Sequence, residues 1–169
     1  PYFKNSNLKE VSELLNALGT GITNLRIVEV PTDIVKNKIP EDIYNKIILN
    51  LEKDNARIKK EGQNRHPSIV ARAYKEFYTF EIDQDDTITI RTIEFSHETN
   101  GVYFRLNEES VGTARLLDLI EILFQISNDN IYVIDEIDRC LHPAMTTKII
   151  GLFLEMAKTR NTQLIITAH

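Results

Sequence analysis

Ile131-Tyr132-Val133-Ile134-Asp135-Glu136 is the stretch on which the reading of this chain turns. Four apolar, mostly β-prone residues run directly into two adjacent carboxylates. A continuous apolar run of this length predicts a strand buried on both faces, in a parallel sheet. In open α/β sheets, ligands sit at the carboxyl ends of the strands, and Asp135 and Glu136 stand at that end. Two acids beside a buried strand terminus are costly unless water, a partner or a metal compensates. One reading gives Asp135 a magnesium ion and Glu136 the polarisation of an attacking water. The other is a strand that ends in a solvated acidic turn. The run alone does not separate the two.

Downstream comes Ile137-Asp-Arg-Cys-Leu-His142-Pro143. Pro143 suits the first turn of a helix, with Ile149, Ile150, Phe153 and Met156 on one face. Gln163-Leu-Ile-Ile-Thr167 then predicts a second buried strand, completing a right-handed βαβ unit. His169 falls just past its end. Upstream, Ser110-Val-Gly112-Thr113 precedes Leu116, Leu117, Ile120, Leu123 and Phe124 at helical spacing. The N-terminus of such a helix offers free N–H groups and a positive dipole end, which suit a phosphate. Ser110 adds a hydroxyl, and Gly112 lets a ligand approach the backbone. A helix capped by Ser110 and nothing more explains the same residues.

The first hundred residues carry less chemistry. Ser6 is a candidate cap for a helix through Leu8, Val11, Leu14, Leu15 and Leu18, stopped by Gly19. Gly19-Thr-Gly21 lacks the Gly-Lys-Ser/Thr of a phosphate loop and reads as a turn. Leu25 to Val30 is a short strand. Residues 32–66 are rich in Lys, Asn, Glu and Asp, with a sparse stripe at Ile43, Ile47, Leu51 and Ile58. This predicts an inserted helical arm between Pro40 and Gly62, solvated on most of its surface. From Ile69 to Leu106 the period changes to two. Strands are expected at 74–82 and 87–95, and 102–106 pairs with the latter through a turn at Asn100-Gly101. His66 has no second ligand at metal spacing, and His97 reads as an ordinary polar strand end.

The 169 residues are 42% hydrophobic and 27% charged, as in a globular domain, with net charge −5. That charge does not favour a large nucleic-acid face, though a local basic patch stays open. One cysteine, Cys140, excludes an intramolecular disulfide and is compatible with a cytoplasmic setting. No apolar run approaches the roughly 20 residues of a membrane span, and no signal peptide opens the chain. With Pro1 first and a strand directly before His169, the chain is expected to be a fragment of a longer protein.

Three of these elements resemble one family in order and spacing. Ser110-Val-Gly112-Thr113 resembles a degenerate ABC-type signature motif. Tyr132-Val-Ile-Asp135-Glu136 resembles its Walker B strand, and Thr167-Ala-His169 its histidine switch. The stretch Asp135 to Pro143 is similar to the D-loop of bacterial ATPases of the OLD (overcoming lysogenization defect) and abortive-infection type, relatives of the SMC-like repair ATPases. Residues 102–169 carry the resemblance. The departures are Val111 for the first signature glycine, Thr113 for its glutamine, and His142 for the D-loop aspartate of transporters. No Gly-x-x-x-x-Gly-Lys-Ser/Thr occurs among the 169 residues, nor a convincing glutamine loop.

The resemblance implies an α/β fold, a partial P-loop NTPase lobe. It would have buried parallel strands, a flanking antiparallel hairpin and the helical arm, a stub of the coiled-coil insertion of relatives or a docking element. The cofactors implied are ATP and Mg²⁺. Asp135 would hold the metal, Glu136 would orient water and His169 would contact the γ-phosphate. Ser110, Gly112 and Thr113 would close over the nucleotide of an opposite subunit in a head-to-tail homodimer. An effector nuclease or toxin and a role in phage defence are further implications. Two alternatives stay open: a non-catalytic nucleotide-sensing or interaction module, and a DNA-repair ATPase of the SMC-like kind.

Overall fold

Two sheets organise the chain, and both follow from the change of hydrophobic period along it. The computed structural model describes residues 7–73, 75–83, 85–97, 101–124, 126–127 and 129–169. The elements are α1 (Leu8–Ala17), β1 (Asn24–Glu29), α2 (Thr32–Lys36), α3 (Glu41–Lys60), β2 (Ser68–Ala73), β3 (Glu76–Ile82), β4 (Ile88–Ser96) and β5 (Phe104–Arg105). A 3₁₀ turn (Leu106–Glu108), α4 (Val111–Phe124), β6 (Ile131–Ile134), α5 (Pro143–Ala157) and β7 (Gln163–Ile166) follow.

The first sheet is antiparallel, in the order β1-β4-β3-β2, with β5 also paired to β4. Alternation along its strands divides the side chains between two cores. Phe77, Ile93 and Phe95 join Val11, Leu15, Ile22 and the α4 residues Leu116 to Leu123 in the first core. Tyr78, Phe80, Ile82 and Ile90 point the other way, into a second core with Tyr44 and Leu51 of α3. The sheet is thus covered on both faces. The expected pairing of 87–95 with 102–106 is present but short: Glu94 faces Arg105 and Phe95 faces Phe104. The expected turn residue Asn100 lies outside the described residues, as do Ser6 and Tyr74. β2 is a strand of its own, which the period-two reading had merged into the longer stretch.

The expected helix of the arm is present, but it does not stand away from the body. α3 lies along β2 and β3 and buries Tyr44, Leu51 and Ile58 at heptad spacing. Ile43, read as part of the stripe, is exposed, and its neighbour Tyr44 is buried instead. An aromatic ring at that position reaches the Phe80 ring edge-on at 5.9 Å, and this contact sets the face of the helix.

The second sheet is the parallel pair β6-β7, registered Ile131 on Gln163 through Ile134 on Ile166. α5 connects the two strands. It is capped by His142, whose Nδ1 accepts from the Ala144 N–H at 3.2 Å. Tyr132, Ile134, Leu164 and Ile166 pack on the first core. The alternate residues do not: Ile131, Val133 and Ile165 are 63%, 72% and 54% exposed. The strands are parallel as expected, but their burial is one-sided, because among the described residues only one layer, of helices, covers them.

Candidate active site

The site begins where β6 stops. Asp135 follows its last residue, and Glu136 then takes a left-handed backbone conformation, φ +47°. For a non-glycine residue this costs on the order of 1–3 kcal/mol and persists only where the surroundings enforce it. The enforcement comes from β7. The Thr167 N–H donates to the Ile134 carbonyl at 3.1 Å, and the Ile137 N–H donates to the Thr167 carbonyl at 3.0 Å. The Glu136 N–H donates to the Thr167 hydroxyl oxygen at 2.8 Å. That hydroxyl in turn donates to the Asp135 carboxylate. Ile137, fully buried, pins the far side of the turn.

One short parallel register therefore brings Asp135, Glu136 and His169 together. The His169 Nε2 lies 3.3 Å from the Glu136 carboxylate, and its backbone N–H donates to the Asp138 carboxylate at 3.0 Å. Arg139 is 3.7 Å from the other Glu136 oxygen. All of these groups are open to solvent or half-buried.

Asp135 offers one oxygen to Thr167, and its other oxygen has no partner among the described residues. Magnesium is commonly bound through one or two carboxylates, with waters and substrate phosphates completing the octahedron. An exposed carboxylate with one free oxygen fits that donor set. No group of three or more metal-ligating side chains occurs among the described residues, so an all-protein cage is not what the site offers.

Ser110, Gly112 and Thr113 lie at the start of α4. The Ser110 Oγ accepts from the Thr113 N–H at 2.9 Å and sits 2.9 Å from the Thr113 hydroxyl. Ser110 is thus a working N-cap, and it is also exposed. Gly112 has a packing role: a β-carbon there would sit 2.9 Å from the Cys140 carbonyl oxygen. The three residues line a cleft of about 380 Å³ with Thr20, His142 and Met145. Asp135 and Glu136 line a separate cleft of about 730 Å³ with Arg72, Lys75, Arg115 and Arg139. Cys140 borders both.

Several contributors were not legible in sequence. Thr167 appeared only as the first residue of a switch motif, yet it holds both Asp135 and Glu136. His97 is not an idle strand end. Its Nε2 lies 2.8 Å from the carboxylate of Glu109, a buried acid directly before Ser110. The Lys75 ammonium donates to the Glu109 carbonyl. These contacts moor the chain as it enters α4 and span a dozen residues or more, so local pattern could not reveal them.

An apolar parallel strand pair that ends in adjacent carboxylates thus stands beside a helix N-terminus with an exposed cap, in an α/β domain. Residues 29–169 match the family model described as "AAA domain, putative AbiEii toxin, Type IV TA system", and the chain belongs to that family. An AAA domain is a nucleotide-binding ATPase domain of the P-loop type, and the mixed α/β architecture agrees with a partial lobe of one. No curated protein matches the chain, and no solved structure does. Among the described residues no helix is long and apolar enough to cross a membrane.

Proposed function

We propose that this chain is the signature-to-histidine-switch part of an ABC-type ATPase domain of the OLD-like, abortive-infection kind. It would work as a head-to-tail nucleotide-sandwich dimer in bacterial phage defence. The observation that carries this reading is the convergence of Asp135, Glu136 and His169 around Thr167, with Glu136 held in a left-handed turn.

Magnesium, when bound with ATP, would supply charge neutralisation at the phosphates. Asp135 would hold it through its free oxygen. Glu136 would accept a hydrogen bond from the attacking water and orient it toward the terminal phosphate. His169, beside the same carboxylate, would steady Glu136 and contact that phosphate. Ser110 and the N–H groups of the first turn of α4 would face the nucleotide of the opposite subunit. The two sets line different clefts that share Cys140, an arrangement compatible with this division. A phosphate-cradling loop would come from sequence outside these 169 residues. An effector nuclease or toxin would be the partner whose action the ATPase licenses.

The test uses the intact protein that carries this chain. Glu136→Gln keeps size and hydrogen bonding but removes the charge that orients water. Hydrolysis should fall roughly 100-fold or more, while ATP stays bound and a dimer persists on a sizing column. Ser110→Arg should abolish the ATP-dependent dimer and leave each subunit's binding intact. If Glu136→Gln releases phosphate at the parental rate, the pair is a solvated acidic turn and the sensing-module reading takes its place.

A further inference from the structure

We infer that Arg115 is a positioning residue that ties the first turns of α4 to the Asp135-Glu136 turn, so that docking at one is transmitted to the other. The inference rests on the ATPase reading above and assigns a regulatory link between its two half-sites.

Arg115 lies on the face of α4 that lines the larger cleft, with Val111, Ala114 and Asp118. The helix's own acid three residues on is not free to pair with it. Asp118 is held by Arg72 of β2 at 2.5 Å, and the same guanidinium holds Glu121 at 2.8 Å. Arg115 instead extends toward the end of β6. Its Nη2 donates to the carbonyls of Asp135 and Glu136, at 3.4 and 3.3 Å. Its Nε is buried and has no hydrogen-bond partner among the described residues. A buried unpaired donor is costly, and an aliphatic side chain would fill the same space without that cost. Packing alone therefore does not account for an arginine here.

Two further features make this contact a lever. Gly112, on the first turn of the same helix, touches the Cys140 carbonyl so closely that a β-carbon would not fit. Glu136 and Cys140, at either end of the loop, are both left-handed, with φ +47° and +65°. The loop is thus held in a strained shape from two sides: by Thr167 on the β7 side and by Arg115 and Gly112 on the α4 side. A shift of α4 when Ser110 engages a ligand moves the carbonyls of the residues whose side chains do the chemistry. Catalytic geometry is sensitive to such shifts, about 100-fold for a displacement near 1 Å.

The experiment compares Arg115→Gln and Arg115→Lys with the parent in the intact protein. Phosphate release gives kcat and KM separately, and amide hydrogen exchange across residues 135–141 is followed with and without ATP. Arg115→Gln should lower kcat on the order of tenfold, within the usual range of intersite coupling, and keep KM within about twofold. In the parent, ATP should slow exchange both in the first turn of α4 and at 135–141. In Arg115→Gln only the α4 protection should remain. Arg115→Lys, which can still donate to a carbonyl, should recover part of kcat. Parental kcat in Arg115→Gln, a KM that rises as far as kcat falls, or ATP protection that persists at 135–141 would overturn the inference. If the parent shows no turnover, the ATPase reading fails by itself. Exchange without nucleotide then decides: faster exchange at 135–141 in Arg115→Gln supports the tie, and equal exchange overturns it.

Discussion

Replacing Gly112 by alanine tests how tightly α4 is seated against the loop after β6. The added β-carbon would lie 2.9 Å from the Cys140 carbonyl oxygen and 3.6 Å from the Ser110 hydroxyl oxygen. The first contact is too short to persist, and the atom it meets is backbone, so the helix or the loop must move. Two effects oppose each other. Alanine is favoured over glycine by about 0.8–1 kcal/mol in a helix interior, and by less in a first turn. Overpacking a close contact costs about 1–3 kcal/mol. The balance is a net loss of about 1 kcal/mol, a drop in Tm of roughly 2–4 °C for a chain of this size. Gly151, in the middle of α5, has nothing within 4 Å of its would-be β-carbon. Gly151→Ala therefore feels only the helix preference and should raise Tm by a similar amount. Thermal unfolding of parent and both variants in one buffer, followed by circular dichroism, reads the two signs. A Gly112→Ala protein that melts at or above the parent refutes the argument from the Cys140 contact.

Other expectations follow from single contacts. Thr167→Val keeps shape but removes the hydroxyl that joins Asp135 to the Glu136 N–H. In the intact protein it should cut phosphate release roughly 10–100-fold, as loss of an orienting partner does, and Thr167→Ser should restore most of it. Parental turnover in the valine variant would make Thr167 peripheral. In α3, Leu51 is 0% exposed and Leu49 is 49% exposed. Leu51→Ala should cost about 2–5 kcal/mol and Leu49→Ala less than about 0.5 kcal/mol, read by urea unfolding. Similar losses at both positions would contradict the packing of α3 on the sheet.

What the sequence disclosed depends on how local the cause is. The parallel pair, the helix between its strands and the acids at its end are written in runs of four to fifteen residues, and all are where the periodicity puts them. The stripe of α3 was legible as a helix, but its partner was not. Burial of Tyr44 in place of Ile43 depends on Phe80, three dozen residues away. One-sided exposure of Val133 was hidden for a related reason. An apolar run states that both faces of a strand want cover, and it does not state which faces this stretch of chain can cover.

The role of Ser110 is the point on which sequence offered two answers, a helix cap and a phosphate contact, and the geometry shows the cap. A cap that accepts from the Thr113 N–H satisfies one of the unpaired donors of the first helical turn. The residue remains exposed, at the edge of a cleft with Thr113 and His142. Capping therefore fixes the side chain in one rotamer while leaving it open to a ligand. Under the proposed function, that pre-organisation would suit a phosphate contact, because the ordering cost is met in the folded chain beforehand. The same reasoning explains the density of ties around it: His97 to Glu109, Lys75 to the Glu109 carbonyl, and Gly112 against Cys140. A helix that served only as core would need its apolar face and one cap. The further restraints on this terminus fall on the residues next to the proposed docking surface, where a small displacement would matter most.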